Sequence, residues 1–236
     1  MKNELLSLDA AAARIATGAV MTIAGDEALL AQLPRGNWIG GTSVYFVTET
    51  GGAVIRDKLY CTTLPEATVA QIRVLGADEL PQIAQGYATG GLSIILIPAF
   101  SRAHAVFAVD GPSYAGFFNQ PLVGWISGVH LDDIGRVAPK VFDGRSGRSY
   151  GEEAVVMHLS LSEGLVPQVD IVNIFAQNDA TAPAFRFPQS GFAAKTALID
   201  GREMSLAAYL RDNDIDTRLP LIANYGGALI NVSLQS

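Results

Sequence analysis

The sequence predicts an α/β (α+β) fold: a mixed, largely antiparallel sheet, or two packed sheets, with covering helices. Three observations carry this. Apolar runs bounded by glycine or proline recur along the chain, among them "GAVMTIAG" (18–25) and "GLSIILIPAF" (91–100), and such runs read as buried strands. Helix-start signals stand between them, with Ser101 ahead of "RAHAVFAVD" the clearest. The chain has 236 residues, 49% hydrophobic and 17% charged, which is enough apolar material for a large core.

Taken in order, the N-terminus reads as an amphipathic helix with Leu5, Leu6 and Leu8 near its start. Residues 18–25 form a strand, and "DEALLAQL" (26–33) a brief helix stopped by Pro34. "NWIGGTSVYFV" (37–47) is a strand, "TETGG" (48–52) a hairpin turn, and "AVIRDKLYCTTL" (53–64) the return strand. "EATVAQIRVL" (66–75) and "ADELPQIAQGYA" (77–88) read as helices, Pro81 falling in a first turn after a cap at Asp78. A strand at 91–100 and a helix at 101–116 follow, then a strand at 120–131. Residues 135–161 give two strands around a turn rich in Gly, Arg and Ser, and 166–176 another strand. A polar loop (177–192) has the length of a lid or an oligomer contact. Residues 195–215 read as strand, Asp200-Gly201 turn and helix, and 219–234 as the last strand.

The order "apolar strand, helix, glycine-bearing strand, hairpin, strand" occurs at 18–64 and again at 91–161. The whole chain, 1–236, therefore reads as a single domain with related halves 18–90 and 91–176. A C-terminal strand-helix-strand occupies 191–236.

A net charge of -7 gives no general pull toward phosphate backbones, so nucleic acid is not an expected partner. No apolar run reaches the roughly 18 residues of a membrane-spanning helix. The first residues lack the pattern of a signal peptide, and one cysteine, Cys61, suits a reducing compartment. Cytoplasmic localisation is the expectation.

Three strands bear glycine beside an aromatic: Trp38 before Gly40-Gly41, Gly124 before Trp125, and Tyr225 before Gly226-Gly227. Glycine weakens a strand unless something approaches the backbone closely. Each strand also offers small polar groups, Thr42, Ser127 and Asn224. Bare backbone, aromatic walls and a few hydrogen-bonding groups describe a small-ligand pocket. Close packing of a neighbouring element is the alternative meaning of the glycines. Arg102, at a helix start, could pair with a ligand carboxylate.

A family resemblance rests on three stretches. "PLVGWISGVHLDDIGRVAPKVFDGRSGRSYGEEAVVMHLSL" resembles a segment of the FIST sensory domain. "FAAKTALIDGREMSLAAYLRDN" is similar to a second FIST element, with Asp200, Gly201, Ala207 and Tyr209 at matching positions. "NWIGGTSVYF" resembles the family's first glycine strand, although Gly41 stands where cysteine or a small polar residue is common. The resemblance implies a small-ligand sensory module working in signal transduction through a separate output protein.

Two other readings stay open. An enzyme acting on a small metabolite would use Cys61 or Ser127 as nucleophile with His130 as base. An interaction protein would only form a homo-oligomer. The three histidines, His104, His130 and His158, have no metal-ligand spacing. No cofactor is evident, and haem would find its best-placed axial ligand in His130. The turn "DGRSGRSYG" (143–151) offers an anion nest or a plain hairpin turn.

Overall fold

A computed structural model describes every residue except 176–181, 226–227 and 235–236, and excepting the side chains of Tyr225 and Ala228. The chain divides into two compact units, Met1–Gln168 and Val169–Ser236. Both sheet and helix are present and the sheets are mostly antiparallel, the class the sequence predicts. Among the described residues no helix is long and apolar enough to cross a membrane.

The first unit begins with β1 (Lys2–Leu6), α1 (Leu8–Ala16), β2 (Met21–Gly25), α2 (Glu27–Leu30) and β3 (Trp38–Thr42). A hairpin of β4 (Tyr45–Thr48) and β5 (Gly51–Val54) leads to β6 (Leu59–Thr63). Then come β7 (Ala67–Leu75), a 3-10 helix (Leu80–Gly86), β8 (Leu92–Pro98), α3 (Arg102–Asp110) and β9 (Leu122–Ser127). The hairpin β10 (Val141–Asp143) and β11 (Arg148–Tyr150) precedes β12 (Ala154–Leu161).

Two sheets result, in the orders β1-β6-β2-β3-β10-β11 and β7-β12-β8-β9. Four strands of each follow one plan. β2 and β3 run parallel across α2, and β8 and β9 run parallel across α3. β6 and β12 return antiparallel beside β2 and β8. β1 and β7 close the far edges, again antiparallel. The parallel registers set Ile23 opposite Gly40 and Ile95 opposite Gly124. The hairpin between the third and fourth strands differs: β4–β5 pairs only with itself, whereas β10 joins the edge of the first sheet at β3.

Side chains alternate across each strand, and this sorts the core into layers. Met21, Ile23, Trp38, Leu59 and Cys61 pack with Ala11 and Ile15 of α1 and Leu30 of α2. Ile95, Ile97, Ala154 and Val156 pack with Ala103 of α3 and with Leu80 and Ile83 of the 3-10 helix. Ile39, Ile94, Leu96, Val155 and Met157 fill the space between the sheets. The first unit is thus helix, sheet, sheet, helix, with three buried seams.

Several elements differ from the sequence reading. Residues 2–6 form a strand, and α1 starts only at Leu8, where Ser7 accepts a hydrogen bond from Ala10 N–H. The helix expected over 66–75 is instead the strand β7 (Ala67–Leu75), whose hydrogen bonds the ladder to β12 supplies. The helix expected over 77–88 is a 3-10 helix, with Glu79 at its cap and Asp78 bound to Arg102 instead. The two sheets divide between β6 and β7, not at residue 90. The strand expected over 37–47 breaks at residues 43–44, and that over 53–64 breaks at residues 55–58. Residues 135–161 hold three strands, with Gly147 at φ 70° in the β10–β11 turn. α3 is shorter than the span read for it, and Ser101 caps it as expected. Its buried hydroxyl accepts from His104 N–H and donates to Pro98 O at 2.7 Å. Ser101→Ala is expected to cost about 1–2 kcal/mol in urea titration.

The second unit holds β13 (Phe185–Arg186), β14 (Thr196–Ile199), β15 (Arg202–Ser205) and α4 (Leu206–Asp212). The turn at Asp200-Gly201 has φ 49° and 82°, and it joins β14 to β15, a strand the sequence reading passed over. Ala197, Ile199 and Leu206 form a small core with Phe185, Tyr209 and Leu210. The span read as one last strand is the hairpin β16 (Leu221–Tyr225) and β17 (Ala228–Val232). Gly226-Gly227, between them, lie outside the described residues. No strand forms over 166–175, where Val166, Ile171, Val172 and Ile174 are exposed. Part of the polar loop 177–192 also lies outside the described residues.

Candidate functional site

Parallel strands end together, and ligands of open α/β sheets bind outside those carboxyl ends. Here a cleft of about 410 Å³ opens where β2, β3 and β9 finish. Gly25 and Asp26 follow from β2, Thr42, Ser43 and Val44 from β3, and Gly128, Val129 and His130 from β9. Ala28 and Ala31 of the α2 region, Arg56, Asp133 and Val137 complete the wall. The volume falls in the range of small-molecule sites, about 300–1,000 Å³.

Its charges are paired. Arg56 donates to Asp26 at 3.1 Å and to Asp133 at 3.0 Å, tying the 55–58 connection to both sides. Asp26 Oδ1 also accepts from Ala28 N–H, capping α2. Lys140 pairs with Glu27. The His130 ring stacks on Tyr45 with centroids 5.6 Å apart. Its Nδ1 accepts from Asp132 N–H at 3.2 Å.

The first two glycine strands do meet behind this cleft. Gly128 N–H donates to Thr42 O at 2.8 Å, fastening the end of β9 to the end of β3. One residue further in, a Cβ on Gly41 would stand 3.1 Å from Trp125 Nε1 and 3.2 Å from Ser127 Cβ. Trp125 and Ser127 therefore share the face of β9 turned toward Gly41. Both Trp125 Nε1 and Ser127 Oγ are buried without a hydrogen-bond partner.

Other residues named from the sequence lie elsewhere. Trp38 and Gly40 face away from the cleft: Trp38 is in the helix-side core, donating to Pro34 O at 2.9 Å, and Gly40 faces Leu30. Thr42 lines the cleft, but its hydroxyl donates to Lys140 O and accepts from Lys140 N–H. Gly124 lies against the carbonyl of Ile95. Arg102 pairs with Asp78 and its N–H donates to Glu152. Asn224 and Tyr225 belong to β16 in the second unit.

The nucleophile pairings do not form. Cys61 is buried in the core, and burial pushes its thiol up to about 12. Ser127 Oγ has no partner, so it is not hydrogen bonded to His130. The bonded Ser-His pair is a different one, Ser93 Oγ and His158 Nδ1 at 2.8 Å, both fully buried between β8 and β12. Desolvation holds His158 down to about 4, with Arg73 adding to the effect. Among the described residues no cluster of His, Cys, Asp and Glu could hold a metal ion. A second hollow of about 370 Å³ lies at Tyr87, Gly90-Gly91 and Gln120, at the opposite ends of β8 and β9.

Sequence reasoning missed Asp26, Arg56, Asp133, Val129 and Tyr45. The first three are charged residues beyond strand ends; only knowing that β2, β3 and β9 end together would single them out.

Fold and cleft together define a class: an α+β protein of two packed sheets with a ligand-sized cleft at its parallel strand ends. The chain belongs to DUF6976, a family of unknown function whose model matches residues 6–236. No curated protein and no solved structure matches it.

Proposed function

We propose that this protein is a cytoplasmic small-ligand-binding module of sensory type, acting through a separate output protein. The observation that supports this most is the cleft at the ends of β2, β3 and β9, where two of the three glycine strands come together. Its walls mix apolar groups (Ala28, Ala31, Val44, Val129, Val137) with polar ones whose charges are matched within the protein. That is the make-up of a pocket for a small organic molecule rather than for a polyanion. Its resemblance to FIST sensory domains favours the same reading.

A thermal-shift screen with amino acids, nucleotides and haem tests it, because a ligand that binds the native state raises stability. At a concentration about 100 times Kd the gain is about 2.7 kcal/mol. Ala28→Phe, an exposed substitution that puts an aromatic ring into the cleft, is expected to abolish the shift and leave ligand-free stability nearly unchanged. Equal shifts in the variant would move the ligand out of this cleft. A broad screen without any stabilising compound would sink the proposal.

A further inference from the structure

A strand at the edge of a sheet presents a row of N–H and C=O groups to whatever can pair with it, and proteins guard such rows with charge, proline or bulges. The two large sheets of the first unit end in β1 and β11 and in β7 and β9. β1 carries Lys2 and Glu4, β7 Arg73 and β11 Arg148, but β9 (Leu122–Ser127) carries neither a charge nor a proline. Ser93 N–H donates to Pro121 O, and Ala99 N–H to Ser127 O. Backbone groups alternate in direction along a strand, so Val123 and Trp125 also bond toward β8, and Leu122, Gly124 and Ile126 turn theirs outward. Next in that outward row, Gly128 N–H is taken by Thr42 O. Among the described residues no strand pairs with the other three. Gly124 is exposed, as are the side chains of Val123 and Ile126.

The sister sheet shows what this place takes. β3 holds the position of β9, for Gly40 lies opposite Ile23 as Gly124 lies opposite Ile95. The outer edge of β3 is covered by an antiparallel strand, β10, with Phe142 opposite Gly40. Charge selects the occupant of the open edge. Each copy of the chain carries a net charge of -7, so two copies repel on average. From Gly111 to Val129 the sequence holds no charged residue, and identical copies can meet along this strand without opposing like charges. The strand is also self-complementary. A two-fold axis at Gly124 sets Gly124 against Gly124, Leu122 against Ile126 and Val123 against Trp125, with the outward N–H and C=O groups facing their partners.

We infer that the protein forms a homodimer in which β9 pairs antiparallel with β9 of a second copy, joining the two four-stranded sheets into one continuous sheet. The two-fold axis closes the contact, so assembly stops at the dimer. β9 runs on into Gly128 and Val129, which line the cleft, so the seam between copies lies beside each cleft. The inference stands whether or not the cleft binds a ligand.

The test uses the full chain. At about 100 μM it is expected to scatter light as a dimer, and to dissociate on dilution. Val123→Lys and Ile126→Lys each put a charge on an exposed position of the edge, where the monomer fold tolerates it. Each variant is expected to be monomeric at the same concentration, with an unchanged far-ultraviolet circular dichroism spectrum. Amide hydrogen exchange of the parent reads the register without any substitution. Gly124 and Ile126 should exchange at least about tenfold more slowly in the dimer than in the parent diluted to monomer, while Trp125, bonded to β8, stays protected in both. A parent that is still monomeric at about 1 mM overturns the inference. So does a dimer that survives both substitutions, a larger assembly, or a dimer whose Gly124 and Ile126 amides exchange as fast as those of the monomer.

Discussion

Gly124→Ala is expected to destabilise the first unit by about 3 kcal/mol or more. Gly124 sits in β9 opposite Ile95, and a Cβ there would overlap the carbonyl oxygen of Ile95 in the adjoining strand. That oxygen is backbone in the parallel pair of β8 and the edge strand β9, so no flexible side chain can yield; β9 must move away from β8. Overpacking commonly costs about 1–3 kcal/mol, and overlap with fixed backbone belongs at or beyond the top of that range. Against a total of about 5–15 kcal/mol the loss is large. Gly40→Ala, at the matching place in the first sheet, should cost less, because its Cβ would stand 2.9 Å from Ile23 O and 3.3 Å from Leu30. Gly52→Ala, with nothing within 4 Å, is the neutral control. Both tryptophans lie in the first unit, so tryptophan fluorescence in urea isolates the relevant transition. With a slope of about 2–3 kcal/mol per molar, the Gly124→Ala midpoint should fall by about 1 M or more. An unchanged midpoint would mean that β8 and β9 are not paired as described.

The same fluorescence transition is expected to weaken by about 3 kcal/mol as pH falls from 6.5 to 4, through His158. Its folded value of about 4 lies below the roughly 6.5 of an unfolded histidine. Between those values the unfolded chain binds the proton and the folded chain does not, so stability rises with pH across the window. It is complete above about 6.5 and is lost progressively toward 4. The cause is geometric. His158 is wholly buried in β12, bonded through Nδ1 to Ser93, edge-on to Tyr87, with Nε2 unpartnered where Gly86 crosses it. His158→Asn keeps an amide near Nδ1 and removes the titration. Its pH slope between 6.5 and 4 should be shallower than that of the parent, whatever its stability at neutral pH. Equal slopes in the two proteins would show that His158 does not stay neutral in the fold.

How far the site was legible in the sequence depends on the residue. The strand at 91–100, the Ser101 cap and the Asp200-Gly201 turn were readable because their causes are local: a continuous apolar run, a side-chain oxygen at a helix start, a positive φ. Trp125, Ser127 and Gly41 could be picked out as unusual, since glycine beside an aromatic on a strand invites explanation. That these three meet, and that Trp38 and Gly40 do not join them, depends on strand alternation. Neighbours on β3 face opposite layers, so Trp38 went to the helices and Gly41 to the second sheet. Asp26, Arg56 and Asp133 gave no signal, because ordinary surface ion pairs look the same in sequence.

By itself the sequence determined the α+β class, the mass of the core and the repeated strand, helix, glycine-strand order, all of which follow from composition and short-range pattern. Tertiary structure settled β7. Thr68, Val69, Ile72 and Val74 are β-branched and suit a strand, but they lack clean alternation, and the ladder to β12, with one irregularity at His158/Leu159, fixes the strand. It also decided the cleft, because β2, β3 and β9 are brought to a common end by pairings between residues up to about a hundred positions apart, and no local pattern encodes where distant strands stop.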